Sequence, residues 1–181
     1  MTDHCLIFSA SVNPQCTNRL LAHLVDLQVS GASSLTIAIS SPGGAIVNGI
    51  AAYNALSSAQ FQVSTHNIGN IDSIAIVLFL AGAKRLTNST STFMFHGVGF
   101  DGNPNERLEE RNLLEKLDVI RSDHKRISSI IAQKTSLSVH EAETLFKQQS
   151  TQDAAWSVTN RFADKIDEFK MPTHRNIRHI L

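Results

Sequence analysis

The feature that most constrains the fold of this chain is a regular alternation of short strand-like runs with helical runs. The strand-like runs lie at 6–8, 35–39, 61–65 and 93–95, and the helical runs lie at 18–27, 46–56 and 73–83. Such alternation is typical of βαβ units, in which helices join parallel strands. The run at 93–95 is apolar throughout, as expected of a strand covered on both faces. The sequence therefore predicts an α/β fold with a mostly parallel sheet.

The second half of the chain has a different pattern. A charged segment at 105–134 carries apolar residues at helical spacing, which predicts one long amphipathic helix. A further helix is predicted to begin at Ser138, because Ser138 and Glu141 have the spacing of a capping box. The basic tail, 171–181, is expected to be loosely held. No repeat or linker is visible, so we expect a single domain over 1–181.

Charge and cysteine content argue against several classes of protein. The 181 residues include 16 basic and 16 acidic side chains, so a nucleic-acid or membrane-surface partner is not expected. Only Cys5 and Cys16 are present, which predicts neither a disulfide framework nor a zinc site. The N-terminus lacks a signal-peptide pattern, and the apolar run at 74–83 is too short to span a bilayer. We expect a cytoplasmic protein without a metal or other cofactor.

Two turns and one histidine are candidates for chemistry. The sequence SPGG at 41–44 lies between a strand and a helix, where it is an oxyanion-binding turn or an ordinary connection. Ser73 lies at the head of the apolar helix, where its hydroxyl is a nucleophile or a helix cap. His96 follows the strand at 93–95 and precedes Gly97, and its role there is a general base or a structural one.

These features occur in an order that resembles one family. SPGG at 41–44, Ser73, AGAKR at 81–85, FMFH at 93–96 and FADKI at 162–166 follow one another along the chain. Together they resemble the proteolytic subunit of the Clp protease over nearly the whole chain. The resemblance implies a ClpP/crotonase-like α/β fold of repeated ββα and βαβ units. It also implies that 105–134 is a long, handle-like helix.

The resemblance further implies an activity. Ser73 would be the nucleophile and His96 the general base of a serine endopeptidase, and the amides of Gly44 and Ile74 would form its oxyanion hole. A peptide or unfolded protein substrate would bind as an added strand near Phe100. The family also implies a homo-oligomer, in which the long helix mediates contact between rings.

Some positions depart from the family pattern. Gln149 stands where the family has the catalytic aspartate, and an amide cannot stabilise an imidazolium with a full charge. Asp153 and Asp72 are the other candidates for a third triad member. A carboxylate at Asp72 would oppose an oxyanion unless it is paired or turned outward. The strand at 6–8 begins close to residue 1, so docking to an unfoldase ATPase through an axial loop is not expected.

Two other functions are consistent with the same features. A catalytically silent Clp-like subunit, structural or regulatory, is favoured by Gln149 and Asp72. A crotonase-type acyl-CoA enzyme would use paired backbone amides to hold a thioester enolate, although Ser73 and His96 stand at the protease positions. A hydrogen bond between Ser73 and His96 would favour the peptidase.

Overall fold

Eight strands and six helices make up the part of the chain that the computed structural model describes, which is residues 3–99, 107, 109–173 and 177–180. The strands are β1 (Asp3–Ser9), β2 (Ser34–Ser41), β3 (Gln62–Asp72), β4 (Lys84–Thr87), β5 (Thr92–Met94), β6 (Thr151–Asp153), β7 (Lys165–Ile166) and β8 (Ile177–Ile180). The helices are α1 (Pro14–Val29), α2 (Ile46–Ser57), α3 (Ala75–Leu80), α4 (Glu110–Lys134), α5 (Val139–Gln148) and α6 (Ala154–Thr159).

The predicted mostly parallel sheet is confirmed. Its strands lie in the order β6-β5-β3-β2-β1-β8, and β5–β6 is the antiparallel pair among the described strands. Strand β3 has two partners on one side, because its first half pairs with β4 and its last three residues pair with β5. Strand β4 pairs in turn with β7. This fork places β5 beside the carboxyl end of β3.

The core lies between the sheet and the helices that cover it. Helix α3 is buried on all sides, as its uniformly apolar sequence requires. Helix α1 buries only one face, on which Leu20, Leu24 and Leu27 pack into the core while Val25 and Val29 are exposed. Each fully buried leucine side chain stabilises the fold by about 1.5–3 kcal/mol. The helical periodicity of the sequence thus determines which side of α1 faces the sheet.

Two of the sequence motifs contact each other. The Arg85 amide donates to Asp164 Oδ2 and the Asp164 amide donates to the Arg85 carbonyl, both at 2.8 Å. The Arg85 guanidinium also donates to the carbonyl of Arg161 at 3.0 Å. The motifs AGAKR and FADKI therefore fasten β4 to β7, and their role here is structural.

The predicted elements of the second half are largely confirmed. Helix α4 ends at Lys134 as predicted. It begins at Glu110, later than predicted, because residues 107 and 109 are not helical; residues 105, 106 and 108 lie outside the described residues. The capping box of α5 is present, since Ser138 Oγ accepts from the Glu141 amide at 3.2 Å and Glu141 Oε2 accepts from the Ser138 amide at 2.8 Å.

The tail differs from the prediction of a loosely held segment. Residues 177–180 form β8, which pairs in parallel with β1, and Ile180 is buried. The free edge of β1 supplies hydrogen-bond partners for the tail, and its apolar ends offset the cost of ordering it. Nowhere in the described ranges is there a helix with the length and apolar run that a membrane crossing needs.

Candidate active site

Three neighbouring parallel strands end at one edge of the sheet, and each is followed by a candidate site segment. Strand β2 leads into Gly43 and Gly44, β3 leads into Ser73, and β5 leads into His96. The last residues of β3 and β5 pair directly, at Asp72 and Met94. The carboxyl edge of a parallel sheet is the usual location of a ligand site in α/β proteins. The structure thus brings all three candidate segments to the same edge.

Ser73 sits in a strained turn between β3 and α3. Its φ of 55° lies in the left-handed region, which costs a residue with a side chain about 1–2 kcal/mol. The amide of Ser73 donates to the Met94 carbonyl at 2.8 Å, so the turn is fastened to β5. Ile74, not Ser73, takes the N-cap position of α3, and no side chain caps that helix. The helix-cap alternative for Ser73 is therefore wrong, and its hydroxyl donates to no described residue.

The SPGG turn lies directly against Ser73. A Cβ built on Gly43 would be 2.8 Å from Ser73 Cβ, and the φ values of Gly43 and Gly44 are 85° and 144°. Val12 holds this turn, because its amide donates to the Gly43 carbonyl and its carbonyl accepts from the Ala45 amide, both at 2.7 Å. Both glycines are thus required, one by the approach to Ser73 and the other by the approach to Val12.

Two backbone amides near Ser73 have no acceptor within the described part of the chain. The hydrogen bonds of Val12 go to the Gly43 carbonyl and the Ala45 amide and not to the N–H of Gly44. The N–H of Ile74 donates to no described carbonyl. The position where a Cβ would stand on Gly43 is 3.4 Å from the Ile74 nitrogen, so the two segments are adjacent. Unbonded amides beside a nucleophile are the geometry of an oxyanion hole.

The position of His96 fixes its tautomer. Its Nδ1 lies 3.1 Å from the carbonyl oxygen of Gly97. Because a carbonyl oxygen only accepts, Nδ1 carries the proton and Nε2 of the neutral ring keeps a lone pair. No hydrogen bond joins this Nε2 to Ser73 in the described residues. Ser73 and His96 thus lie at the same edge of the sheet without a hydrogen bond between them. Catalytic hydrogen bonds often tighten only when substrate binds.

None of the three candidates for a third triad member forms a hydrogen bond or an ion pair with His96 within the described residues. Gln149 is exposed and ends α5 in a left-handed conformation, with φ at 50°. Asp153 caps α6, since its Oδ1 accepts from the Trp156 amide at 2.7 Å. Asp72 Oδ2 accepts a hydrogen bond from Asn70 Nδ2 at 2.6 Å. The carboxylate thus has a partner, which is one of the two conditions under which it could lie beside an oxyanion. Among the described residues, His96 is instead hydrogen-bonded to the Gly97 carbonyl.

One histidine near the site was not predicted. His124 Nε2, on α4, accepts a hydrogen bond from the Val98 amide at 3.1 Å, and its ring packs on Phe146 with centroids 6.0 Å apart. A signal was present, because His124 follows Ile120 by four residues and precedes Ile127 by three. It thus interrupts the apolar face of a helix with a polar group.

A cleft of about 960 Å³ opens beside the site. Its walls are the start of α2 at Ile46 and Val47, the segment at Val98, and the face of α4 at Val119 and Ile120. Charged side chains of α4 line the same cleft. Phe100, for which a substrate-lining role was expected, lies outside the described residues.

The fold and the order of the site segments match a known family. The family model of the Clp protease matches residues 1–168. Two curated relatives, the ATP-dependent Clp protease proteolytic subunits of two strains of Dehalococcoides mccartyi, are each 27% identical over 128 residues. The match covers 67% of this chain and 64% of each relative, so it spans just under two thirds of their length.

A solved structure agrees with this assignment at the level of the fold. A mutant of ClpP1 from Listeria monocytogenes superposes with a TM-score of 0.80 over 92% of both chains, at 17% sequence identity. The predicted recognition and fold class are confirmed by these matches. The chain belongs to the Clp protease family.

Proposed function

We propose that this protein is a serine endopeptidase that cleaves peptides or unfolded proteins through an acyl-enzyme on Ser73. The observation that carries the proposal is the strained turn at Ser73, which lies against Gly43 and beside two unbonded amides. Backbone strain in a non-glycine residue persists where the surrounding structure holds it, and such residues cluster at active sites. Membership of the Clp protease family supports the same activity.

The proposed reaction uses groups that follow the carboxyl ends of β2, β3 and β5. His96 Nε2 takes the proton of Ser73 Oγ as the oxygen bonds to the substrate carbonyl carbon. The amides of Gly44 and Ile74 donate to the oxygen that becomes negative. His96 then gives its proton to the leaving amine as the peptide bond breaks. Water, activated by the same histidine, releases the second product and restores Ser73.

The cleft supports a peptide as the substrate. An extended peptide beside the segment 97–99 would place one side chain between Val47 of α2 and Val119 of α4. The lining is mainly apolar, and the charged side chains of Glu115, Lys116 and Asp123 also contribute to it. A preference for an apolar residue next to the cleaved bond follows from this lining.

We also propose that the protein is a cytoplasmic homo-oligomer. Helix α4 exposes a set of large apolar side chains, with exposed fractions between 39% and 61%, namely Leu113, Leu114, Leu117 and Val119. Large exposed apolar patches mark interaction surfaces. Cys5 and Cys16 are buried and not joined in a disulfide, which supports a reducing compartment.

The proposal is tested with a fluorophosphonate probe, which modifies an activated serine. The protein and a Ser73→Ala variant are incubated with the probe, and intact mass and peptide mapping locate the adduct. Ser58→Ala is a matched control, because Ser58 is exposed and its hydroxyl donates to the nearby Ala55 carbonyl, at 2.9 Å, away from the site. We expect one adduct on Ser73 in the native protein and in Ser58→Ala, and none in Ser73→Ala.

A silent subunit is the second candidate, and one observation favours it. Among the described residues no carboxylate is hydrogen-bonded or ion-paired with His96, and loss of the orienting carboxylate lowers turnover about 10⁴-fold in a serine protease. A folded protein that the probe leaves unmodified would support this second function. An adduct on Ser73 would exclude it.

A further inference from the structure

A chain of hydrogen bonds joins His96 to His124 through one peptide group. His96 Nδ1 donates to the Gly97 carbonyl and the Val98 amide donates to His124 Nε2, each at 3.1 Å. The Gly97 carbonyl and the Val98 N–H are the two poles of a single planar peptide unit. The two imidazoles therefore bind opposite ends of one rigid dipole.

We propose that His124 is a positioning residue for the reaction, an inference that rests on the proposed peptidase function. By accepting from Val98, His124 holds the Gly97–Val98 peptide with its carbonyl toward His96. That carbonyl keeps the proton of His96 on Nδ1 and leaves Nε2 to act on Ser73. The peptide group and His124 together thus replace the orienting aspartate of a serine-protease triad.

The Val98 side chain packs against the core, and the orientation of the Gly97–Val98 peptide depends on the hydrogen bond to His124. A Cβ built on Gly97 or on Gly99 would have no described atom within 4 Å, so side-chain packing does not hold either glycine. The backbone ladder of β5 ends at Met94. The amide of the next residue, Phe95, donates to the Ser150 carbonyl at 2.8 Å. Beyond that point Val98 packs through its side chain, and the hydrogen bond to His124 sets the orientation of the peptide plane. Hydrogen bonds in series also polarise one another, which strengthens the acceptor that faces His96.

The same contact depends on the charge of His124. A neutral imidazole accepts through Nε2, whereas a protonated one has no free lone pair. Burial lowers the pKa of His124, Glu143 opposes this shift, Lys147 adds to it, and Asp123 opposes it. The charged side chains that surround His124 on its two packed helices are Arg121, Asp123 and Lys125 of α4 and Glu143 and Lys147 of α5. The acceptor is therefore present at neutral pH and is lost on acidification below the ordinary histidine range, which centres near pH 6.5.

The test combines variants of His124 with nuclear magnetic resonance of the histidine rings. His124→Phe keeps a ring against Phe146 but removes the acceptor, and His124→Gln places an amide oxygen near the position of Nε2. His140→Phe is the matched control, since His140 is exposed on α5. The rate of fluorophosphonate labelling at Ser73 is measured for each variant between pH 5 and 8. Long-range ¹H–¹⁵N spectra report the tautomers of His96 and His124 and the shift of the Val98 amide.

We expect labelling of His124→Phe to be about tenfold slower, the factor that corresponds to one hydrogen bond. His124→Gln and His140→Phe should stay within about threefold of the native rate, since a hydrogen bond is kept or not involved. In the native protein, His96 should carry its proton on Nδ1, and the Val98 amide should shift as His124 titrates.

Three outcomes would overturn the inference: His124→Phe labelled at the native rate, a proton on Nε2 of His96, or a Val98 amide that ignores the titration of His124. If His124→Phe does not fold, the spectra of the native protein decide. If native Ser73 is not labelled at all, the proposed function fails, while the spectra still test the hydrogen-bond chain.

Discussion

Replacement of Gly43 by alanine is expected to damage the site directly, because the backbone of Gly43 lies against Ser73. The new methyl group would be 2.7 Å from the Asp72 carbonyl oxygen and 2.8 Å from Ser73 Cβ. Both distances are too short for real contacts, and both partners lie on or next to the strained turn. The turn must therefore move to accommodate the methyl group.

The loss of stability has two parts. A φ of 85° costs a residue with a side chain about 1–2 kcal/mol. Overpacking against groups that cannot yield costs about 1–3 kcal/mol more. The free energy of unfolding should fall by about 2–5 kcal/mol, and fluorophosphonate labelling of Ser73 should be largely lost.

Gly31→Ala is the control for this prediction. Gly31 has a φ of 69°, but a Cβ there would meet nothing within 4 Å, so only the backbone cost of about 1–2 kcal/mol applies. Urea unfolding followed by the fluorescence of Trp156, the single tryptophan, measures both variants. Equal losses in the two variants, with Ser73 labelled normally in Gly43→Ala, would refute the close approach of Gly43 to Ser73.

Two further changes test the assignments of buried and site residues. Asp153→Ser keeps an N-cap acceptor for α6 while it removes the carboxylate. The free energy of unfolding should therefore change by less than about 0.5 kcal/mol, and the rate of Ser73 labelling should not change. A labelling rate about tenfold slower would instead make Asp153 the missing triad member. His23 is buried, and neither ring nitrogen has a hydrogen-bond partner among the described residues. Burial, with Arg178 and His4 acting in the same direction, lowers the pKa of His23 against the opposing charge of Asp26. Below about pH 6.5 the unfolded chain therefore gains a proton that the native state resists, and the unfolding free energy falls by up to about 1.4 kcal/mol per pH unit. His23→Leu should reduce this slope between pH 7.5 and 5.5 in urea unfolding, and an unchanged slope would contradict the burial of an uncompensated imidazole.

The elements that the sequence predicted best are those whose burial is periodic or uniform. Helices α1 and α2 and strand β2 lie within a few residues of their predicted bounds. Strand β3 runs to Asp72, well beyond its predicted end at residue 65. The prediction ended too early because the second half of the strand contains polar residues. Two of these are buried and bonded: His66 Nε2 lies 2.9 Å from Asn88 Oδ1, and Asn67 Nδ2 donates to the Thr92 carbonyl at 2.9 Å. Because these hydrogen-bond partners are more than 20 residues away along the chain, no local sequence pattern indicates that the polar residues are buried.

The positions of the candidate residues in the fold could be predicted from the sequence, whereas their hydrogen bonds could not. The order of strand ends along the chain was enough to bring Gly44, Ser73 and His96 to one edge. What orients His96 was not predictable, since it depends on how α4 crosses the segment after β5. Asp153 was open as a triad candidate because the same carboxylate chemistry that binds an imidazole also caps a helix.

The pairing of β8 with β1 has a consequence for how this chain folds. One edge of β1 (Asp3–Ser9) pairs with β2, and the other pairs with residues 177–180, which lie far from β1 along the chain. Contacts between such distant parts of a chain form slowly, because a long loop must close before they stabilise anything. An unpaired edge is a template for association with other chains. Until residues 177–180 pair with it, β1 thus has an open edge, and we expect this long-range pairing to form late in folding.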